Sequence, residues 1–290
     1  MMKELKIGGQ AVVEGVMMRS AHYVSTSVRT KNGKIKTKTR KFNSLTENNK
    51  ILGLPIIRGA VSLFEVIQLG YQEITWSSNQ SLGKKEKINN KEKIFMILFS
   101  LIFGLALFKL LPLFLATRII PLEEGSWAVN LLDALIKTLI LVGYMVVIGL
   151  ISDIKNLYQY HGAEHKAVSC YESKKKLTPE NAQKFSTIHP RCGTTFIIIV
   201  FLISMLLYIF IPLNLGFWLN FLIRILLLPI IAGISFEIIR ISGKYYYKNL
   251  FVRIIMWPGL QFQRLTTRQP SLKQIEVAIA SLNACMSKEK

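Results

Sequence analysis

The sequence predicts a mostly α-helical integral membrane protein: four transmembrane helices with a small α+β cytoplasmic N-terminal part containing a β-hairpin. Three observations predict it. Apolar residues gather in blocks of about 20 or more, the length a helix needs to cross a bilayer. Basic segments alternate with acidic or neutral ones between those blocks. An Asn-Gly pair separates two runs of alternating β-branched residues near the N-terminus.

The N-terminal part, residues 1–53, reads as β-rich. β-branched residues alternate at Val24, Thr26 and Val28 and again at Ile35, Thr37 and Thr39, with Asn32-Gly33 between them. That pattern makes 23–42 a hairpin. Its second strand would carry Lys34, Lys36, Lys38 and Arg40 on one face. Such a face suits a solvated strand that resists aggregation; the other reading is a surface for phosphates or lipid headgroups. Over 54–76, Ile56, Ile57, Ala60, Val61, Phe64, Ile67 and Tyr71 follow helical spacing, while Arg58, Glu65, Gln68 and Gln72 lie elsewhere. This amphipathic helix is too polar to span; it would lie in the interface or pack under the membrane helices. Residues 77–93 read as a polar linker.

The four apolar segments are Ile94–Ile120 and Val129–Ile151, within 94–151, and Thr195–Leu213 and Phe217–Ile241, within 195–241. The first carries Lys109 and a Pro112 that would kink it. Asp133 and Lys137 are four apart, share a helix face and can pair. Arg224 and Glu237 fall in the fourth. Lys84, Lys85, Lys87, Lys91 and Lys93 precede the first span, and the connection 121–128 has two Glu and neither Lys nor Arg. The loop 152–194 is basic again, the connection LNLG is neutral, and the tail 242–290 is basic. Positive loops stay inside, so both termini and the loop 152–194 are expected to be cytoplasmic. The leading MMKELKIGGQ lacks an apolar core, which predicts no cleavable signal peptide.

Lys and Arg number 37 against 17 Asp and Glu, a formal charge of +20. In a soluble chain that balance would point to nucleic acid. Here the retention of basic loops on the cytoplasmic side accounts for it, with an anionic inner leaflet as counterpart. The expected partners are therefore the lipid bilayer, with anionic headgroups or a cytoplasmic protein as further candidates, and not nucleic acid. Four helices leave room for an oligomer.

The chemistry concentrates in the loop 152–194. Three of the four histidines lie there, with two of the three cysteines. His161 and His165 are four apart, so a helix puts both on one face. Glu164 between them completes an H-x-x-E-H string. Two imidazoles at that spacing can reach one divalent ion, zinc being preferred, and Glu164 would be the catalytic general base. Cys170, Glu172, His189 and Cys192 follow, and the spacing leaves the third ligand open among these four. Three ligands with an open position would make the site catalytic, and a closed set of four would make it structural. Near the N-terminus, IGGQAVVEGVMMRSAH offers Glu14, Arg19 and His22, either as an ordinary polar set or folded against the 161–192 loop to support its site. The segment lacks the Lys-Ser/Thr of a phosphate loop.

GGQAVVEGVMMR (8–19), YHGAEHKAV with CYE (160–172), HPRCGTTF (189–196) and PGLQFQRLTTRQP with the EVAIASL tail (258–282) together resemble the YqhQ family over nearly the whole chain. That resemblance implies a multi-pass protein of a bacterial cytoplasmic membrane and a metal-dependent enzyme. It carries His161, Glu164, His165, Cys170, Glu172, His189 and Cys192 as matched positions.

Three functions fit these residues. The first is a hydrolase-like metalloenzyme at the cytoplasmic membrane face. The second is a non-enzymatic scaffold whose structural zinc staples the 152–194 loop for a protein partner or anionic lipid. The third is transport, because Asp133, Lys137, Arg224 and Glu237 lie in or near spans; it ranks last because side chains near span ends can snorkel.

Overall fold

The computed structural model describes residues 7–81, 90–120, 126–212 and 215–289. Most of the acidic connection, the basic run at 84–87 and part of the neutral connection lie outside them.

Two hairpins build the N-terminal sheet. Strands β1 (Gly8–Val12), β2 (Gly15–Arg19), β3 (Tyr23–Arg29) and β4 (Ile35–Lys41) form an antiparallel meander in the order β1-β2-β3-β4. The β3–β4 turn closes through Gly33 N–H to the Thr30 carbonyl, with Gly33 at φ 76°. A side chain there would be strained, which is why the turn takes glycine. The β1–β2 turn instead places Glu14 at φ 52°.

Alternation gives the sheet two different faces. Val12, Met17, Val24 and Val28 cover one and pack on helix α2 (Ile57–Ser81) through Leu69 and Trp76. Val16 and Met18 cover the other and pack on helix α6 (Ser152–Glu172) and helix α12 (Leu272–Glu289). The C-terminal segment is therefore no tail. Ile275, Ala278, Leu282 and Cys285 form a buried helical stripe within this core. Ser271 and Gln274 cap α12 reciprocally, side chain to backbone in both directions. Cys285, an incidental residue by sequence, is fully buried against the Tyr23 carbonyl.

The helix expected over 54–76 is present. Its buried face carries Gly59, Glu65, Leu69, Gly70 and Glu73, while Phe64 and Ile67 stand exposed, as an interfacial helix would leave them. Two carboxylates hold the buried face. Glu65 accepts from Ser44 Oγ and Leu45 N, which caps the short helix α1 (Leu45–Asn48), and Glu73 pairs with Arg40 at 2.7 Å and accepts from Thr26 Oγ1. The basic face of β4 is thus largely claimed: Lys36 donates to Gln80, and Lys38 and Arg40 face Glu73. Residues expected as linker extend α2 to Ser81 and begin helix α3 at Asn90.

Among the described residues, two helices are long and apolar enough to cross a membrane. One runs Ile94–Ile119 through α3 (Asn90–Leu105), a π turn (Ala106–Leu110) and α4 (Leu111–Ile119). Pro112 has no N–H to return to the carbonyl four residues back, and the π turn lies just before it. The other is Trp127–Ile148 in α5 (Ser126–Ile148). Of the four expected spans the described residues give two in full, or three if a bent pair counts as one. That pair, α9 (Phe217–Leu226) and α10 (Leu228–Tyr245), breaks by 42° next to Pro229. Helix α8 (Gly193–Tyr208) is apolar but has 16 residues; at 1.5 Å per residue it reaches about 24 Å, short of a core about 30 Å thick. A short α7 (Pro179–Gln183) and an amphipathic α11 (Leu250–Thr266) complete the described elements.

Candidate metal centre

The segment read as a loop is largely the 21-residue helix α6. It holds His161 and His165 one turn apart, with ring centroids 4.5 Å from each other. Glycine makes the approach of the neighbouring chain feasible: a Cβ at Gly162 would stand 2.2 Å from the Arg268 carbonyl oxygen. The extended segment after α11 therefore lies directly on α6, where Arg268 N–H donates to the Tyr158 carbonyl.

That contact orients the histidines. The Thr266 carbonyl accepts from His161 Nδ1 at 2.9 Å, and the Thr187 carbonyl accepts from His165 Nδ1 at 2.5 Å. Donation from both Nδ1 atoms turns Nε2 of each ring toward the cluster, the orientation metal-binding histidines commonly show. These nitrogens meet Cys192, the N-cap of α8. Its Sγ lies 3.2 Å from His161 Nε2 and accepts from Thr194 N–H. The ligand atoms of His161, His165 and Cys192 all lie within 4.8 Å of one another. A tetrahedral zinc with sulfur at about 2.3 Å and nitrogen at about 2.0 Å separates them by about 3.5 Å, so the spacing fits. A thiolate and two imidazoles also select zinc or a similar ion over oxygen-seeking magnesium or calcium.

A cavity of about 20 Å³ adjoins the three, lined by Gly8, Gly9, Glu164 and Arg191 among others. It has room for one water. Glu164 Oε2 stands 3.4 Å from His165 Nε2. A Cβ at Gly9 would stand 2.8 Å from Glu164 Cγ, so a glycine lets β1 lie against the carboxylate.

The electrostatics follow from burial and proximity. Burial pushes the His165 imidazolium down, but Cys192 and Glu164 outweigh it and raise His165 to about 9. Burial would raise the Cys192 thiol, yet His161 and His165 hold it well below the usual thiol range. The thiolate is the metal-binding and nucleophilic form. Burial, then His165, lowers His189 to about 4.

Of the other candidates, His189 lines the same cavity, its ring 5.8 Å from that of His165, but turns its Nε2 away to Glu172, and the rest lie outside it. Cys170 points into the core beside α12, 3.7 Å from the Lys176 carbonyl, and burial raises its thiol. His189 Nε2 meets Glu172 at 3.1 Å, and Arg191 pairs with the same carboxylate. Glu14 accepts from Asn156 and Tyr160, nearer the N-terminus of α6. Arg19 faces Glu65 and stacks on Phe42, and His22 pairs with Glu289. Glu14 and Arg19 do not pair with each other in these contacts.

Gln263 on α11 escaped the sequence reading. It is fully buried, accepts from His189 N–H at 2.9 Å, and donates to the His189 carbonyl and Thr195 Oγ1 at 2.8 and 2.7 Å. It thereby clamps the chain that carries the Thr187 carbonyl and Cys192. An uncharged glutamine inside PGLQFQRLTTRQP offers no spacing signal.

The described residues thus place a His₂Cys cluster beside the N-terminal sheet, in a chain rich in apolar helices. The family model described as "Protein of unknown function (DUF1385)" matches residues 54–288. The chain is 33% identical, over 97% of its length and 92% of the relative's, to "Uncharacterized protein YqhQ" of Bacillus subtilis (strain 168). The chain belongs to this family, the YqhQ family. No solved structure matches it.

Proposed function

We propose that the protein is a metal-dependent hydrolase of the bacterial cytoplasmic membrane, with its site at the cytoplasmic face. The observation that carries this is the convergence of two oriented Nε2 atoms and one thiolate beside a water-sized cavity and a carboxylate. His161, His165 and Cys192 would hold the ion, which supplies Lewis acidity when bound. Glu164 would take a proton from a water in the cavity as its oxygen adds to a carbonyl or phosphoryl centre. The same carboxyl would return that proton to the leaving group as the scissile bond breaks. Three ligands plus a cavity favour the open, catalytic type over a closed scaffold. The apolar helices support membrane insertion. The basic residues of the sheet and of 174–176 support its cytoplasmic placement.

A second reading needs no metal. Cys192 caps a helix N-terminus beside His161, whose other nitrogen is fixed by a carbonyl. That is also how a cysteine nucleophile is activated. Elemental mass spectrometry on detergent-purified protein separates the two. Near-stoichiometric zinc, lost in His161→Ala and His165→Ala, supports the hydrolase. A folded wild type that takes up no metal, while its Cys192 alkylates rapidly at neutral pH, supports the nucleophile.

A further inference from the structure

A second buried polar cluster lies within the apolar helices, apart from the His₂Cys site. Lys137 Nζ and Arg224 Nη1 both donate to Oδ2 of Asp133, at 3.0 and 2.9 Å. Arg224 Nη2 donates to Asn130, whose amide donates to the Tyr208 carbonyl. Lys109 Nζ donates to the Tyr208 hydroxyl at 3.0 Å, and that hydroxyl donates to the Arg224 carbonyl. The heads of Lys109, Lys137 and Arg224 stand 5.2, 5.6 and 4.6 Å from the Tyr208 ring centroid. Asn130, Asp133, Lys137, Tyr208 and Arg224 are each at most 3% exposed.

Three features do not suit a merely structural ion pair. Among the described residues, three cationic side chains face one carboxylate, so full ionisation leaves two positive charges in excess there. Buried charge without a counter-charge is strongly disfavoured, and an arginine does not shed its proton. Among the same residues, Arg224 Nε and Asp133 Oδ1 are buried without a hydrogen-bond partner. Finally, Lys109 sits on the π turn, a rare irregularity that concentrates at functional sites.

We propose that this cluster binds a small inorganic anion of halide size, held by Lys109, Lys137 and Arg224. Asp133 is the internal counter-charge that tempers the affinity. Cation excess supplies the attraction, and the unmet Arg224 Nε–H supplies a directed donor. The surrounding apolar helices strengthen both by excluding water. The alternative neutralisation, loss of protons from the two lysines, needs no anion and gives a different experimental result.

The test is the thermal midpoint of the full chain in detergent, titrated with sodium bromide against sodium gluconate at constant ionic strength. The expected result is a saturable rise in bromide of about 4 °C or more. Lys109→Met, similar in length and uncharged, should abolish the rise. Asp133→Asn should move saturation to lower bromide. Should Lys109→Met not fold, Lys109→Gln takes its place, with the same expected loss of the rise. No difference between bromide and gluconate overturns the proposal and leaves deprotonated lysines as the answer. An equal rise in wild type and folded Lys109→Met overturns it too, since the anion would then act elsewhere.

Discussion

Gln263→Ala tests whether α11 holds the His₂Cys cluster together. The substitution removes three hydrogen bonds, all at fully or nearly fully buried atoms: His189 N–H at 2.9 Å, the His189 carbonyl at 2.8 Å and Thr195 Oγ1 at 2.7 Å. A buried polar group left without its partner costs about 1–3 kcal/mol. Three such groups, with some relief from water entering the space, set the loss at about 3–6 kcal/mol. The effect should also reach the metal. The segment released carries the Thr187 carbonyl that orients His165, and it ends at Cys192. Loss of an orienting partner lowers metal affinity about 10- to 100-fold. Competition with a chelator measures that affinity, and the unfolding midpoint measures stability on the same sample. Gln263→Glu keeps an acceptor for His189 N–H but buries a carboxylate against the His189 carbonyl, so it should be no more stable than Gln263→Ala. Wild-type zinc affinity in a destabilised Gln263→Ala would refute the reasoning, because the clamp would then serve the fold and not the site.

The remaining predictions concern individual groups. Cys192→Ala should lose zinc, whereas Cys170→Ala should keep it and lose only core packing, as elemental analysis of both will show. Glu164→Gln should retain the metal and lose hydrolytic turnover; a variant with full turnover removes Glu164 from the base role. His189 has a folded pKa lowered to about 4 against 6.5 for the free side chain. Its contribution is therefore present above pH 6.5 and lost as pH falls through about 4, a difference of about 3 kcal/mol by linkage. Denaturant titrations of metal-free protein should show that slope, and His189→Gln should flatten it. Gly162→Ala should displace the Arg268 carbonyl, which would stand 2.2 Å from the new Cβ, and lower both the thermal midpoint and zinc retention.

Local signals were legible in the sequence, and long-range ones were not. The hairpin over 23–42 follows from Asn32-Gly33 and β alternation, and the described strands match it. The i, i+4 spacing put His161 and His165 on one face before any fold was known. The third member could not be chosen from spacing, because Cys170, Glu172, His189 and Cys192 are equally plausible along the chain. The bend of the chain after α7 and the N-cap of α8 bring in Cys192, while Glu172 and His189 turn to each other. In helix α2 the apolar stripe was legible and faces outward, but the burial of Glu65 and Glu73 was not, because their partners lie on α1 and the sheet. Helix α12 read as part of a basic tail because Lys244, Lys248, Arg253, Arg264 and Arg268 dominate the segment before it; its buried apolar residues Ile275, Val277, Ile279 and Leu282 are too short a signal to show which surface it covers. Asp133 and Lys137 pair as their spacing suggested. Arg224 joins them only through the packing of α9, and hydropathy alone does not show that break from α10.

The central claim is a zinc held by two imidazoles and one thiolate with a position left open. X-ray absorption at the zinc edge of the purified full chain tests it most directly. The account predicts one sulfur at about 2.3 Å and three nitrogen or oxygen neighbours at about 2.0 Å, with the sulfur shell absent in Cys192→Ser. A spectrum with two sulfurs, or with none in the wild type, would contradict it.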